Sequence, residues 1–468
     1  MSLSKHIHFI GICGSGMSPL AILAAKKGYR VSGSDHSSSQ VKINLKNTGI
    51  HIYDDHLESN VNDAQYVVYS SAISPNNPEL IAAKNKGLQI LHRSDFLYLL
   101  MEDSDSVVIS GTHGKTTTSA MIAHMLQELG IGPSYAIGGI LERNQSSAEL
   151  GNSKIFVAEA DESDGTFLKY QPYIGLITNI ALDHLDFYEN QQNVETAFLN
   201  FARNIKKDGS LVIGWDNPLC RSLVQNLKED DEHPFEAAIL SYGFIFGCDT
   251  RCLNFSQNET GLYFEAMIER DRIKCRIPTY GKVNISNALA ALTVARSLEL
   301  DVSHAAEALG TFTGVKRRLN ILFSDTNFLL VDDYAHNPDK IAAAISALKT
   351  AQTKNRLYVI FQPHRYSRFS SLFEHFIKSF SEADQVFVLP IYAAGEEEIS
   401  GFDPHYIANS IKEASNIDAK GFSNFSECFS DIINEVTPHT TILTVGAGDI
   451  WILAEELRKG LQTWQRRS

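Results

Sequence analysis

The residue types and spacing best suited to chemistry lie in Gly111-Thr112-His113-Gly114-Lys115-Thr116-Thr117, directly after the apolar run VVIS. A glycine-rich turn between a buried strand and a helix presents backbone N–H groups that can wrap a phosphate chain. Lys115 adds a point charge for terminal phosphates, and the following threonine hydroxyl can ligate Mg²⁺. The general phosphate-loop pattern wants a glycine where this chain has Ile109, so this is the shorter Gly-x-x-Gly-Lys-Thr form. A turn that carries a lysine but no ligand is the alternative. Downstream, KIFVAEADESD runs into Glu159, Asp161, Glu162 and Asp164, and IGLITNIALDH runs into Asn179, Asp183 and His184. Carboxylates at the carboxyl ends of parallel strands, beside a phosphate loop, are placed to hold the metal of a nucleotide. A solvated acidic loop and a structural histidine are the competing readings.

A second cluster opens the chain. HIHFIGICGSGMSPLAILAAKKGYRVSGSD reads as strand, tight glycine turn, helix and strand. Gly11, Gly14 and Gly16 permit close backbone approach to a ligand, and the helix N-terminus that follows favours an anion. Asp35 ends the second strand, where dinucleotide folds put a ribose-binding acid. Pro19 stands where the third fingerprint glycine belongs, so the nicotinamide pattern is not met and another nucleotide or pyrophosphate is expected. The competing reading is a turn that merely packs helix on strand. Two later clusters also follow apolar strands: Asp332-Asp333-Tyr334-Ala335-His336-Asn337-Pro338 and Gln362-Pro363-His364-Arg365-Tyr366-Ser367-Arg368. The acids could hold a ribose or an amine, and His364, Arg365 and Arg368 a carboxylate or phosphate. Helix capping by Asp332 and Asp333, and a solvated basic turn, are the alternatives.

The elements that must position these residues alternate. Short runs apolar on both faces, such as YVVYSSAI, IGLITNI and RLYVIFQPH, are separated by stretches of helical spacing, such as SAMIAHMLQELG and DIWILAEELRKG. That pattern indicates an α/β fold with parallel sheets covered on both sides. The polar stretch MEDSDS and the basic stretch TFTGVKRRLN mark breaks, giving three α/β domains at about 1–104, 105–318 and 319–468. Residues 208–280 are richer in strands, whose order the pattern leaves open. The length of 468 residues suits about two to four domains, and 44% apolar with 21% charged residues is ordinary globular composition. With 41 basic against 55 acidic residues the net charge is −14, which disfavours an extended nucleic-acid surface while leaving room for one phosphate-bearing small molecule. No apolar run suffices for membrane insertion, and MSLSKHIHFIGICGSG does not read as a signal peptide. The six scattered cysteines suggest reduced thiols rather than zinc or disulfides.

Together GICGSGM with SGSD, SSAISPNNPEL, GTHGKTT, EADESD, TNIALDHLDFY, GVKRRL, DDYAHNPD, FQPHRYSR and VGAGDI resemble the Mur ligases, the ATP-dependent amide-bond enzymes of peptidoglycan assembly, over nearly the whole chain. The resemblance implies three domains: a Rossmann-like N-terminal domain for a UDP-sugar, a P-loop-type central ATPase domain and a Rossmann-like C-terminal domain that closes over the nucleotide. On that pattern Gly14, Ser15, Gly16 and Met17 cradle a UDP pyrophosphate, with Asp35 and Ser71 nearby. Gly111 to Thr117, with Asn287, Arg318 and Asp333, belong to the ATP side, and Thr116, Glu159 and His184 to Mg²⁺. Lys115, Glu159, His184, His336 and Arg365 carry the catalytic expectations, the last two facing an amino acid or the reacting carboxylate.

The implied reaction joins L-alanine to the lactyl carboxylate of UDP-N-acetylmuramate through an acyl phosphate, in the cytoplasm, by a monomer or weak homodimer with no nucleic-acid partner. FQPHRYSR leans toward the alanine-adding member. Two positions depart from the family pattern: Val283 stands where a histidine is usual, and Asn337 replaces the second histidine of a His-His-Pro motif. Three alternatives remain: a recycling ligase that attaches a whole peptide to the same sugar, an NAD-dependent oxidoreductase, and a non-catalytic P-loop switch or transport ATPase.

Overall fold

The computed structural model describes residues 5–37, 40–182, 185–352 and 356–465. Its first sheet holds β1 (His6–Ile10), β2 (Arg30–Ser34), β3 (His51–Tyr53), β4 (Tyr66–Tyr69) and β5 (Gln89–His92). All are parallel, in the order β3-β2-β1-β4-β5. The chain direction across the sheet therefore reverses between β1 and β4, and the crevice outside their carboxyl ends is where such sheets bind ligands. Strand β1 is buried along its whole length, as expected of a central parallel strand. The helix Ser18–Lys26 begins beside it with Pro19 in its first turn, where a missing N–H costs nothing.

The central sheet holds β6 (Asp105–Ser110), β7 (Ser134–Leu141), β8 (Ser146–Glu149), β9 (Ile155–Glu159), β10 (Ile174–Ile177), β11 (Ser210–Gly214), β12 (Ala238–Gly243), β13 (Thr250–Asn258), β14 (Gly261–Ile268) and β15 (Asp271–Ile277). Their order is β15-β14-β13-β12-β11-β10-β6-β9-β7-β8. The strand-rich stretch after residue 208 thus extends one side of this sheet. Strand β6 lies between β9 and β10, parallel to both, and Ile109 is in register with Glu159 on one side and Leu176 on the other. The carboxyl ends of these three strands consequently open at one level, and the helix Lys115–Glu128 starts there.

The third sheet holds β16 (Asn320–Ser324), β17 (Phe328–Asp333), β18 (Arg356–Phe361), β19 (Gln385–Val388), β20 (Asp418–Gly421) and β21 (Thr440–Val445). The order is β16-β17-β21-β18-β19-β20, parallel except for β16. Apolar clusters cover both of its faces, one containing Ile341, Phe361 and Phe369, the other Phe387, Leu453 and Leu457.

Compactness divides the chain into two units: Met1–Asn254 with Phe264–Arg276 and Ile285–Thr313, and Phe255–Tyr263 with Ile277–Asn284 and Gly314–Ser468. The first expected domain and most of the second fall in one unit, while 255–263, 277–284 and 314–318 of the second fall in the other. A single apolar cluster runs from Phe9 of the first sheet, with Leu20 and Phe96 on helices, to Phe156 of the central sheet, with Phe198 and Phe201 on the helix Gln191–Arg203. Lys26 reaches Glu149 and Lys169 reaches Asp95, each at 2.5 Å, at the edge of that seam. Among the described residues no helix is long and apolar enough to cross a membrane, and the six cysteines are free.

Candidate active site

The glycine turn after β1 is closed by its own backbone. Gly14 donates to Gly11 O at 3.1 Å, and Met17 donates to Gly14 O at 2.9 Å. Gly11 has φ +73, a conformation that favours glycine. Gly14 and Ser15 are exposed, whereas the Met17 side chain is buried at 2% exposure, so Gly14, Ser15 and Gly16 form the accessible part of the cradle. Asp35 follows β2 and turns its carboxylate to the turn: Oδ2 accepts from Cys13 N at 2.9 Å, and Oδ1 from Ser37 N at 2.9 Å. It braces the cradle from this position. The strand before it is itself anchored, since the fully buried Glu79 accepts from Ser34 Oγ at 2.6 Å and pairs with His8 at 3.1 Å and His56 at 2.7 Å.

The loop after β6 is held with equal care. Thr112 N donates to Asn179 O at 3.0 Å, His113 N to Asn179 Oδ1 at 3.0 Å, and Thr178 Oγ1 to His113 O at 2.7 Å. Gly111 has φ +126, and a Cβ there would meet Thr178 Oγ1 at 2.1 Å, so both conformation and space demand glycine. Gly114, φ +86, forms the N-terminal cap of the helix, with Asn287 Oδ1 2.9 Å from where its Cβ would lie. Asn287 accepts from Thr118 Oγ1 at 3.1 Å, which places this expected nucleotide residue against the loop. His113 is exposed and Thr117 half-buried.

Lys115 Nζ contacts Gly111 O at 2.7 Å and both oxygens of Glu162, at 2.9 and 2.8 Å. Glu162 is 2% exposed, and burial pushes its carboxyl above the ordinary range, with the Lys115 ammonium opposing. Thr116 Oγ1 donates to Glu159 Oε1 at 2.9 Å, and Gly138 N donates to Glu159 Oε2 at 2.7 Å. A hydroxyl and a carboxylate side by side at a helix N-terminus are hard oxygen donors of the kind Mg²⁺ takes when phosphates supply further ligands. The residues present therefore fit that ion. Among the described residues no group of three or more His, Cys, Asp or Glu forms a ready-made metal cage. His184 lies outside the described residues.

One cavity of about 420 Å³ joins the two loops. Gly14, Ser15 and Gly16 line one side, Lys115, Gly138 and Glu159 another, and Ser71 and Arg93 lie between. Arg93 pairs with Asp161 at 3.2 Å and Asp164 at 3.3 Å, and its Nη1 is 3.1 Å from where a Cβ on Gly16 would sit. Burial opposes ionisation of Asp164, but hydrogen bonds from Ser71 and Thr166 and the Arg93 charge outweigh it and hold the carboxyl at about 2. Sequence reasoning singled out neither Arg93 nor Gly138. Arg93 carries no motif, whereas the Gly138-Gly139 pair inside a strand was a legible sign of close approach.

In the second unit, Asp333 accepts from Leu319 N and Ala335 N, both at 2.7 Å, so it shapes the turn that follows β17. Asp332 is 2% exposed, pushed up by burial and paired with Arg317 at 3.4 Å. Neither aspartate caps the next helix. Asn337 does, accepting from Lys340 N at 2.9 Å, which also gives the departure from the histidine motif a structural task. Arg317 and Arg318 both lie over the Tyr334 ring, at 5.0 and 5.5 Å. His336 Nδ1 lies 2.8 Å from Tyr334 O, and burial, aided by Arg368, Lys340 and His364, holds its pKa down at about 4. His364 is likewise held at about 4, by burial and then Arg368. Arg365 is exposed and adopts φ +64. Sequence reasoning also missed Arg317, whose guanidinium bonds the carbonyls of Gly446 and Gly448.

Three family models match in succession: "Mur ligase family, catalytic domain" over residues 6–104, "Mur ligase middle domain" over 109–295, and "Mur ligase, glutamate ligase domain" over 317–448. They define an ATP-dependent ligase with a three-domain α/β fold. The chain belongs to the Mur ligase family. It is 38% identical over 453 residues to a UDP-N-acetylmuramate–L-alanine ligase of Desulforapulum autotrophicum, covering 97% of this chain and 98% of that one. A ligase of the same name from Dictyoglomus turgidum is 39% identical over 459 residues, covering 97% and 96%. Among solved structures, UDP-N-acetylmuramate-alanine ligase MurC from Thermotoga maritima is 30% identical, with a TM-score of 0.83 over 99% of this chain and 100% of that one. A murein peptide ligase from Psychrobacter arcticus, 23% identical with a TM-score of 0.70 over 98% and 99%, shares the fold. Family membership removes the oxidoreductase and transport-ATPase alternatives.

Proposed function

We propose that this protein joins L-alanine to the lactyl carboxylate of UDP-N-acetylmuramate at the expense of ATP, giving UDP-N-acetylmuramoyl-L-alanine, ADP and phosphate for peptidoglycan synthesis. The observation that carries the assignment of the site is the single cavity bounded by an anion-cradling glycine turn and by a phosphate loop with its lysine. The alanine assignment rests on relatives of that name matched over nearly their full length.

A carboxylate does not react with an amine at neutral pH because oxide is too poor a leaving group. Transfer of the γ-phosphoryl to the lactyl carboxylate gives an acyl phosphate, which the neutral amine of alanine attacks. The tetrahedral intermediate collapses and releases phosphate. Gly14, Ser15 and Gly16 hold the pyrophosphate of the sugar nucleotide, with Asp35 bracing them and Ser71 beside them. Backbone N–H groups of Gly111 to Thr117 wrap the ATP phosphates, and Lys115 stabilises negative charge on the oxygens of the transferred group. Thr116 and Glu159 would hold Mg²⁺, with His184 assigned there by its motif. The ion, when bound, offsets repulsion between phosphate and carboxylate. Asn287 keeps the loop in shape, and on the family pattern Arg318 lies near the nucleotide, Asp333 serves it from the C-terminal domain, and closure of that domain would exclude water.

His336 is neutral at physiological pH, and with Nδ1 directed to Tyr334 O its Nε2 lone pair is available to accept from the amine. A base held at about 4 is a weak proton sink, so orienting the amine suits it better than carrying its proton away. Arg365, exposed beside His364, supplies charge for the carboxylate of alanine. The expected domain bounds are 1–104, 105–318 and 319–468, with a cytoplasmic monomer or weak homodimer. Phosphate release measured with ATP, Mg²⁺ and UDP-N-acetylmuramate across an amino-acid panel tests the reading. Release that requires the sugar and is greatest with L-alanine is expected; release independent of the sugar overturns it, and preference for a tripeptide would favour the recycling ligase.

A further inference from the structure

The contacts of Lys115 contain a rivalry. An ammonium has three N–H donors. Here they are directed at Gly111 O, 2.7 Å away, at Thr112 O, 3.5 Å away, and at Glu162 Oε1, 2.9 Å away, with Glu162 Oε2 an ion-pair contact at 2.8 Å. Glu162 has little freedom to follow a moving partner: it is 2% exposed, it sits three residues beyond the end of β9, and its own carbonyl accepts from the buried Tyr188 hydroxyl. A lysine paired in this way presents little net charge to a third group, because the carboxylate cancels its field at short range. The fixed carboxylate also repels any phosphate that approaches the ammonium.

We propose that Glu162 is a positioning residue that competes with the nucleotide for Lys115, and that by drawing the ammonium back after phosphoryl transfer it promotes release of ADP. The inference rests on Lys115 being the phosphate-binding cation. Transfer removes the γ-phosphoryl and with it part of the negative charge that holds the lysine. Glu162 is then the stronger competitor, and ADP loses its cation. A nucleotide loop that gripped ADP as firmly as ATP would be slow to turn over.

The test is ADP binding by titration calorimetry in the full-length protein at fixed Mg²⁺, for wild type, Glu162→Gln, Lys115→Ala and the double variant. UDP-N-acetylmuramate binding serves as the control for folding. Glutamine keeps the shape and removes the charge. Glu162→Gln is expected to bind ADP about tenfold more tightly, the scale of one hydrogen bond to a charged group. It should lower KM for ATP and kcat together, and Glu162→Asp should restore part of the wild-type behaviour. In the Lys115→Ala background the same substitution should raise ADP affinity by no more than about twofold, the relief of direct repulsion, because most of the effect acts through the lysine. Weaker or unaltered ADP binding in the single variant overturns the proposal, as does an equal shift in both backgrounds, which would mark Glu162 as a direct contact. Undiminished ADP binding in Lys115→Ala alone would instead overturn the assignment of Lys115.

Discussion

Ser71 Oγ, just past the carboxyl end of β4, donates to Asp164 Oδ2 in the loop after β9 at 2.5 Å. The bond ties the wall of the sugar cradle to the wall of the phosphate site, and Arg93 reinforces it from the same cavity at 3.3 Å. Replacing Asp164 by Asn removes the charge that holds both partners. UDP-N-acetylmuramate affinity is expected to fall about tenfold, in line with the loss of a charge-assisted hydrogen bond, while ADP affinity stays within about twofold. Calorimetric titration of both ligands checks this; equal losses for the two would show general damage.

Lys115→Ala should abolish ligation, by at least about a hundredfold in kcat, the scale of one lost charge-stabilising group. UDP-sugar binding should remain. Coupled phosphate release measures the first and calorimetry the second, and turnover at wild-type rates would remove Lys115 from the mechanism.

Asp35 holds Cys13 N and Ser37 N with its two oxygens. In Asp35→Ala the glycine turn loses that brace, so UDP-sugar binding should weaken more than ATP binding. Measuring both dissociation constants in one preparation decides it, and the reverse order would exclude Asp35 from the site.

A Cβ on Gly138 would lie 2.7 Å from Glu159 Oε2 and 2.9 Å from Oε1. Gly138→Ala therefore has to displace the Glu159 carboxylate, which accepts from Thr116 Oγ1. The Mg²⁺ concentration giving half-maximal activity should rise about tenfold or more, at little change in UDP-sugar affinity. A Mg²⁺ titration of activity reads it directly.

His124 is buried against Ala308 O and Thr311 Oγ1, and burial holds it at about 4 against an ordinary 6.5, with Arg143 adding to the effect. A depressed histidine takes up its proton more readily unfolded. Stability is therefore lost as pH falls from about 6.5 toward about 4, and the loss levels off below. Glu162, raised by burial, acts in the opposite sense, so the informative comparison is between wild type and His124→Gln. The drop in melting temperature from pH 7.5 to pH 5 should shrink in the variant; equal drops would assign the slope to other groups.

The glycine positions, the phosphate loop and the strand-end acids were legible because each needs a residue type that local backbone chemistry demands. Gly111 could only be glycine at φ +126, and Glu159 ends a buried strand whose neighbours set its level. The pairing of Glu162 with Lys115 was not legible, because four acids within six residues look alike until burial separates them. Arg93 was missed for a related reason: its partners Asp161 and Asp164 are about seventy positions away, and no local rule joins them. Asp332 and Asp333 were open to reading as helix caps because the true cap, Asn337, follows them closely in the chain.

The apolar seam that runs from Phe9 and Phe96 to Phe156 and Phe201 mounts the glycine turn and the phosphate loop on one frame. The spacing between the two anion grips is thus set by side-chain packing. A stiff molecule with an acidic group at each end, cut to that spacing, can engage both grips at once and lose little torsional freedom in doing so.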